Sequence, residues 1–332
     1  MKKILLIATG GTIASRQSDT GLSPQIQADE FLEYIPEVAS FCHVDVLQLY
    51  NIDSTNMHPS HWVKLASVIR ERYNSYDGFV VAHGTDTLAY AAATLSYLIQ
   101  GSAKPIVVTG AQRPIDLPTT DARMNLIDSI RFAADDRAHD VSIVFGSRAI
   151  AGTRAKKERT KSYNAFASIN YPDIAIIHDE KIVFYIEDSA SNDVTFYDKL
   201  DEKVLLLKLL PGTDGSVLDT LREKYHALII ESFGVGGLPD YGDGAFVRAL
   251  TRWTDEGRPV IMATQVTHEG SDMGIYQVGQ KIKQACPVVE SYDMTLEAVA
   301  AKTMWALGES HDIETFARCF YKTINHDLLF GA

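Results

Sequence analysis

Short runs of aliphatic and β-branched residues alternate along this chain with longer stretches of helical period. KILLIA (3–8), VDVLQLY (44–50), DGFVVA (77–82), KPIVVT (104–109) and VSIVFG (141–146) read as strands. HPSHWVKLASVIRERYNSY (58–76), LAYAAATLSYLIQ (88–100) and ARMNLIDSIRFAAD (122–135) read as helices between them. This alternation predicts βαβ units and a mainly parallel sheet. The strands are apolar at nearly every residue, the pattern of strands covered by helices on both faces.

EDSASNDVTFYD (187–198) interrupts the rhythm with little apolar material and reads as a linker. Beyond it the rhythm resumes with KVLLLKLLPG (203–212), HALIIESFGVGG (226–237), PVIMATQ (259–265) and the helical TLEAVAAKTMWALGE (295–309). The expected architecture is α/β. A larger N-terminal domain (1–187) with a mainly parallel sheet flanked by helices joins, through a linker (188–202), a smaller C-terminal α/β domain (203–332). A chain of 332 residues, 46% hydrophobic, suits two cores.

Charge and cysteine narrow the setting. The 31 Lys and Arg against 43 Asp and Glu give a net charge of −12, which disfavours nucleic acid or an anionic membrane as partner. Cys42, Cys286 and Cys319 are odd in number and far apart, so neither a disulfide framework nor a zinc site is suggested, and a reducing cytoplasm fits. The apolar run after Lys2 and Lys3 breaks at Gly10 and Gly11, too early for a signal peptide. No stretch approaches the roughly 20 apolar residues a bilayer span needs. We therefore expect a soluble, unexported protein.

Four strands end alike. ATGGT (8–12), AHGTDT (82–87), VTGAQRP (108–114) and VFGSR (144–148) each pass from apolar strand through glycine to a polar loop. In an open parallel sheet such loops line one crevice, which would make Thr12, Thr85, Asp86 and Gln112 neighbours. The dinucleotide and P-loop glycine patterns are both missing, and Gly234, Gly236 and Gly237 read as a turn. His58 and His61 lack the spacing of a helical zinc site and read as an exposed helix start. A G-x-S-x-G elbow is also missing. Hydroxyls, a carboxylate and a lysine remain. Thr85, Asp86 or Thr87 is expected to cap the following helix, which needs only one such side chain and leaves the others for chemistry. In RAKKERTK (154–161), spacing does not choose among Lys156, Lys157 and Lys161.

TGGTIAS (9–15) and GFVVAHGTDTLAYAAATLSYL (78–98) resemble the two signatures of bacterial-type L-asparaginases, specifically the cytoplasmic type I branch. NIDSTNM (51–57), PIVVTGAQRP (105–114), GTRAKKERTKSYNAFASINYP (152–172) and MWALG (304–308) extend the likeness over nearly the whole chain. The resemblance implies hydrolysis of L-asparagine to aspartate and ammonia, with no metal or cofactor. It puts Thr12 on the nucleophile and Thr85, Asp86 and Lys157 on a second catalytic group, Lys157 being selected by its distance from AFAS (165–168). It assigns Asp53, Ser54, Thr55, Gly84, Thr85, Asp86 and Ala111 to the substrate. It further implies a homo-oligomer, a dimer or dimer of dimers, in which a neighbouring protomer completes the site.

Departures from the family carry expectations too. Leu22 lies about where many exported members have a mobile tyrosine. Glu231 and Val266 replace the Arg and Cys through which some type I members are switched by asparagine, so weak or absent switching is expected. Two rival readings are an ammonia-releasing subunit like that of the archaeal glutamyl-tRNA amidotransferase and a non-catalytic amino-acid sensor. The former carries an extra N-terminal domain, whereas the first strand here starts at Lys2. The latter has no use for two hydroxyls and a lysine at the amide. A bound asparagine presents a cation, an anion and an amide. Asp86 suits the ammonium, and Ser54, Thr55 and backbone N–H groups suit the carboxylate. Gly10 and Gly11 would clear space at the amide, and Lys157 could accept a proton from Thr85 only while neutral.

Overall fold

The computed structural model describes residues 1–18, 21–191, 193–239, 241, 244–275 and 277–329, with side chains described except at 17, 18, 21–24 and 278. The chain divides into two compact units, Met1–Asp198 and Lys199–Ala332.

In the first unit the described strands are β1 (Lys2–Gly10), β2 (Ser15–Ser18), β3 (Gly21–Pro24), β4 (Cys42–Ile52), β5 (Gly78–Ala82), β6 (Ile99–Gln100), β7 (Ile106–Thr109), β8 (Val141–Phe145), β9 (Arg148–Ala151), β10 (Ala155–Lys157), β11 (Phe166–Ser168), β12 (Ala175–His178), β13 (Lys181–Phe184) and β14 (Thr195–Phe196). Its helices are α1 (Phe31–Tyr34), α2 (Pro59–Arg72), α3 (Leu88–Leu98) and α4 (Ala122–Ala133). The main sheet runs β13-β12-β9-β8-β7-β5-β1-β4. From β4 to β8 neighbouring strands are parallel, and from β8 to β13 they are antiparallel.

β1, β5, β7 and β8 bury both faces, whereas β4, at the sheet edge, is only half-buried. Ile4, Leu6, Ala8, Val80 and Val107 share a core with Ala122, Leu126 and Ile130 of α4. Leu5, Ile7, Phe79 and Val81, which point the other way by the two-residue period of a strand, are just as buried. β4 flanks β1 on one side and β5 on the other, so the chain reverses its path across the sheet at β1. In open α/β sheets ligands bind outside the carboxyl ends of the strands at such a reversal. The loops after β1 and β5 leave from that place.

The antiparallel strands were not anticipated from the sequence, because they are short and β13 alternates exposed and half-buried residues. Within the polar stretch 187–198, Thr195 and Phe196 form β14 against Gln100 and Ile99. Phe196 is its anchor, its ring standing edge-on to Tyr73 with centroids 5.4 Å apart.

The second unit contains β15 (Val204–Lys208), β16 (Ala227–Ser232), β17 (Val260–Thr264) and β18 (Val289–Glu290), an all-parallel sheet in that order. Around it lie α5 (Ser216–Arg222), α6 (Ala245–Asp255), α7 (Gln277–Ala285), α8 (Leu296–Glu309) and α9 (Ile313–Tyr321). Leu228, Ile230, Val260 and Met262 from the sheet pack with Leu218, Phe246, Leu250 and Trp253. Among the described residues no helix is long and apolar enough to cross a membrane.

Candidate active site

Two glycines bring the loops of β1, β4 and β5 together. Gly11 has φ +80°, and a Cβ built on it would lie 2.3 Å from the Gly84 Cα. A Cβ on Gly84 would lie 2.5 Å from the Ser54 Oγ. No real Cβ tolerates such distances, so only glycine permits this approach. The Gly11 N–H donates to the Ile52 carbonyl at 3.0 Å and ties the β1 loop to the end of β4. Thr12 follows Gly11 and Thr85 follows Gly84, so the two threonines leave one point of backbone contact. Thr12 opens the 3-10 turn Thr12–Ala14, and its hydroxyl has no hydrogen-bond partner among the described residues.

Lys157 reaches the same point from the end of β10, whose antiparallel pairing with β11 sets Lys157 opposite Phe166. Its Nζ donates to Thr85 Oγ1 at 2.8 Å and to Asp86 Oδ1 at 2.7 Å. Lys156 projects to the opposite face by strand alternation, and Lys161 is exposed. Of the three lysines, Lys157 is the one bonded to both Thr85 and Asp86. The expected cap is not made. The helix after Thr87 has no side-chain cap, because Thr85 and Asp86 are engaged with Lys157 and Thr87 Oγ1 donates to the Ser54 carbonyl at 2.9 Å.

A second layer of side chains holds this group. Thr85 Oγ1 donates to Gln112 Oε1 at 3.4 Å, and Gln112 Nε2 donates to the carbonyls of Arg159 and Ser162 at 3.2 Å each. Gln112 thereby joins the loop after β7 to the segment that follows Lys157. The Asp121 carboxylate accepts from the N–H groups of Gln112 and Arg113, and Asn125 Nδ2 donates to the Gly110 carbonyl. Burial pushes the Asp121 carboxyl above its usual value, against those N–H groups, which lower it. Beneath Gly84, His83 is wholly buried, and its Nδ1 donates to the Gly84 carbonyl at 2.7 Å. Burial pulls this imidazole down to about 4, so it is neutral near pH 7. Sequence reasoning overlooked His83, Asp121 and Asn125. The pair Asp121 and Asn125, four residues apart at a helix start beside TGAQRP, is the signal that was there to be used.

The remaining expected residues fall at the same sheet edge with different occupations. Ser54 is buried against Gly84. Asp53 Oδ1 accepts from the Thr55 N–H at 2.9 Å and from Thr55 Oγ1 at 2.8 Å, so these two exposed residues are bonded to each other. Ala111 is buried after β7. The Leu22 side chain lies outside the described residues. In the second unit Glu231 is nearly buried and pairs with Lys208 at 3.3 Å, while Val266 is half exposed. His58 and His61 form the expected helix start, the His58 N–H donating to His61 Nδ1 at 2.9 Å.

Fold and polar cluster together describe an α/β enzyme of the hydrolase kind, and comparison with known proteins narrows it. Residues 3–190 match the family model for the asparaginase N-terminal domain, and residues 203–320 match that for the glutaminase/asparaginase C-terminal domain. The chain belongs to the asparaginase family.

Among its relatives, an L-asparaginase of Thermococcus kodakarensis is 33% identical over 324 residues, covering 97% of this chain and 98% of that protein. A glutamyl-tRNA(Gln) amidotransferase subunit of Pyrococcus horikoshii is 35% identical over 329 residues, covering 95% of this chain and 74% of that protein. Among solved structures, the thermostable L-asparaginase from Thermococcus kodakarensis superposes with a TM-score of 0.92 at 32% identity, covering 99% of this chain and 100% of that one. L-asparaginase I from Vibrio cholerae gives 0.88 at 26% identity, with 99% of each chain covered.

Proposed function

We propose that this chain is an L-asparagine amidohydrolase that releases aspartate and ammonia through attack by Thr12. The observation that carries the reading is the contact of Lys157 Nζ with both Thr85 and Asp86, set where the Gly11–Gly84 approach brings Thr12 alongside.

Asp86 takes the substrate ammonium, and Ser54, Thr55 and loop N–H groups take the carboxylate, so the side-chain amide is delivered to Thr12 by geometry. The Thr55 hydroxyl, which donates to Asp53 Oδ1, turns to the carboxylate as substrate binds, and Gly84 and Ala111 leave the substrate room and backbone partners. The Thr12 oxygen bonds to the amide carbon as its proton departs, and an N–H of the glycine loop receives the oxyanion. The carbonyl re-forms, the C–N bond breaks, and the nitrogen leaves as ammonia after gaining a proton. Water then cleaves the aspartyl ester on Thr12 and returns the proton to its hydroxyl. Thr85 and Lys157 form the relay for these transfers, with Lys157 accepting a proton when its amine is neutral.

The resemblance to type I enzymes further supports a homo-oligomer working in the cytoplasm, in keeping with three free cysteines. Because one set of relatives is named as amidotransferase subunits, a role in supplying ammonia to a partner is the second reading. Ammonia release by the purified chain from L-asparagine and from L-glutamine separates the two. Turnover of asparagine without a partner supports the first reading, and turnover of glutamine alone would overturn it.

A further inference from the structure

The second unit gathers three metal-ligating side chains that the catalytic reading does not use. Asp201 precedes β15, His226 precedes β16, and His311 lies in the turn between α8 and α9. Asp201 Oδ2 is 2.6 Å from His226 Nδ1 and 3.2 Å from His311 Nε2. The donor atoms of the three residues all lie within 4.8 Å of one another. We propose that Asp201, His226 and His311 form a binding site for one divalent transition-metal ion of the zinc class.

Geometry and donor chemistry both support this. Ligand atoms around a tetrahedral ion at about 2.1 Å stand about 3.4 Å apart, so the His311 arm is already at that spacing. The His226 arm needs to open by less than about 1 Å. Two imidazoles with one carboxylate suit zinc and its neighbours, whereas magnesium and calcium prefer an all-oxygen shell.

The carboxylate is set up in advance. Its other oxygen, Oδ1, accepts from the Lys203 N–H at 2.9 Å, which leaves Oδ2 to face both rings. The Asp201 N–H donates to the Met304 carbonyl of α8 at 2.9 Å, and the His226 N–H to the Lys203 carbonyl at 2.7 Å, fixing the backbone on either side. Among the described residues, no lysine or arginine lies within ion-pair distance of Asp201, which faces the two imidazoles instead. The rings are partly exposed, so water can complete the shell. An ion there would clamp two strand starts to the α8–α9 turn.

The test is calorimetric titration of chelator-treated protein with zinc chloride, magnesium chloride serving as control. One zinc per chain and no magnesium uptake are expected. His311→Ala, in an exposed turn, and Asp201→Asn, which keeps the shape of the carboxylate, should each weaken zinc binding at least about tenfold. Zinc should raise the unfolding temperature of the wild type and leave that of His311→Ala unmoved. A wild type that takes up no zinc, or variants that bind it as the wild type does, would overturn the proposal.

Discussion

Lys157 Nζ stands 2.8 Å from Thr85 Oγ1, 72 positions earlier in the chain, and the same nitrogen stands 2.7 Å from Asp86. The Lys157 side chain is only 16% exposed, in a chain whose other lysines are mostly exposed. A methionine there would keep the stem and remove the proton carrier. Lys157→Met should lower kcat for ammonia release by about 10²-fold or more, the range of a lost general acid or base, with little change in thermal unfolding. A kcat within threefold of the wild type would remove Lys157 from the relay.

The approach of Gly11 to Gly84 carries its own expectation. Alanine at Gly11 meets the Gly84 backbone at 2.3 Å and is also strained at φ +80°. Strain and overpacking together should cost about 3 kcal/mol in denaturant unfolding. Gly212 is a control, with φ +92° and nothing within 4 Å of a built Cβ. Gly212→Ala should cost only about 1 kcal/mol, and equal losses for the two would mean that the loops are not in contact.

His83 makes stability depend on pH. Its folded value of about 4 lies below the ordinary 6.5, so between these values the unfolded chain binds more protons. The contribution is complete above pH 6.5 and is lost as pH falls toward 4, amounting to about 2 kcal/mol between pH 7 and pH 5. Asp128 acts in the opposite sense, because burial raises its carboxyl to about 6 and its ionisation costs more as pH rises. Comparison with His83→Asn cancels that opposing effect, since Asp128 is common to both proteins. The wild type should lose about 2 kcal/mol more than the variant between pH 7 and pH 5. Parallel pH profiles would show that the imidazole titrates freely.

The large parallel sheet was legible because β1, β5, β7 and β8 are buried on both faces and almost wholly apolar, while β4, at the edge, keeps enough aliphatic residues between its polar ones to read as a strand. The loops of Thr12 and Thr85 were legible for the related reason that each begins where such a run stops at glycine. Lys157 was harder, since three lysines in one basic run look alike until the fold bonds one of them to both Thr85 and Asp86. Capping at Thr85 to Thr87 was a sound local expectation that tertiary partners overrode, with Lys157 and the Ser54 carbonyl claiming those side chains. His83 looked like one more residue of an apolar strand. Its role depends on an imidazole nitrogen meeting the next carbonyl but leaving its own ring dry, which no pattern displays. Asp201, His226 and His311 share no local spacing at all and meet only once the second sheet is assembled.

The central claim is that the Thr12 oxygen makes the bond to the amide carbon. Its most direct test is the initial rate of ammonia release from L-asparagine by Thr12→Ala, run beside a circular-dichroism check that the variant is folded. A folded variant slowed by at least about 10³-fold is the predicted result, the scale of loss when a covalent nucleophile is removed. A folded variant within tenfold of the wild-type rate would contradict it.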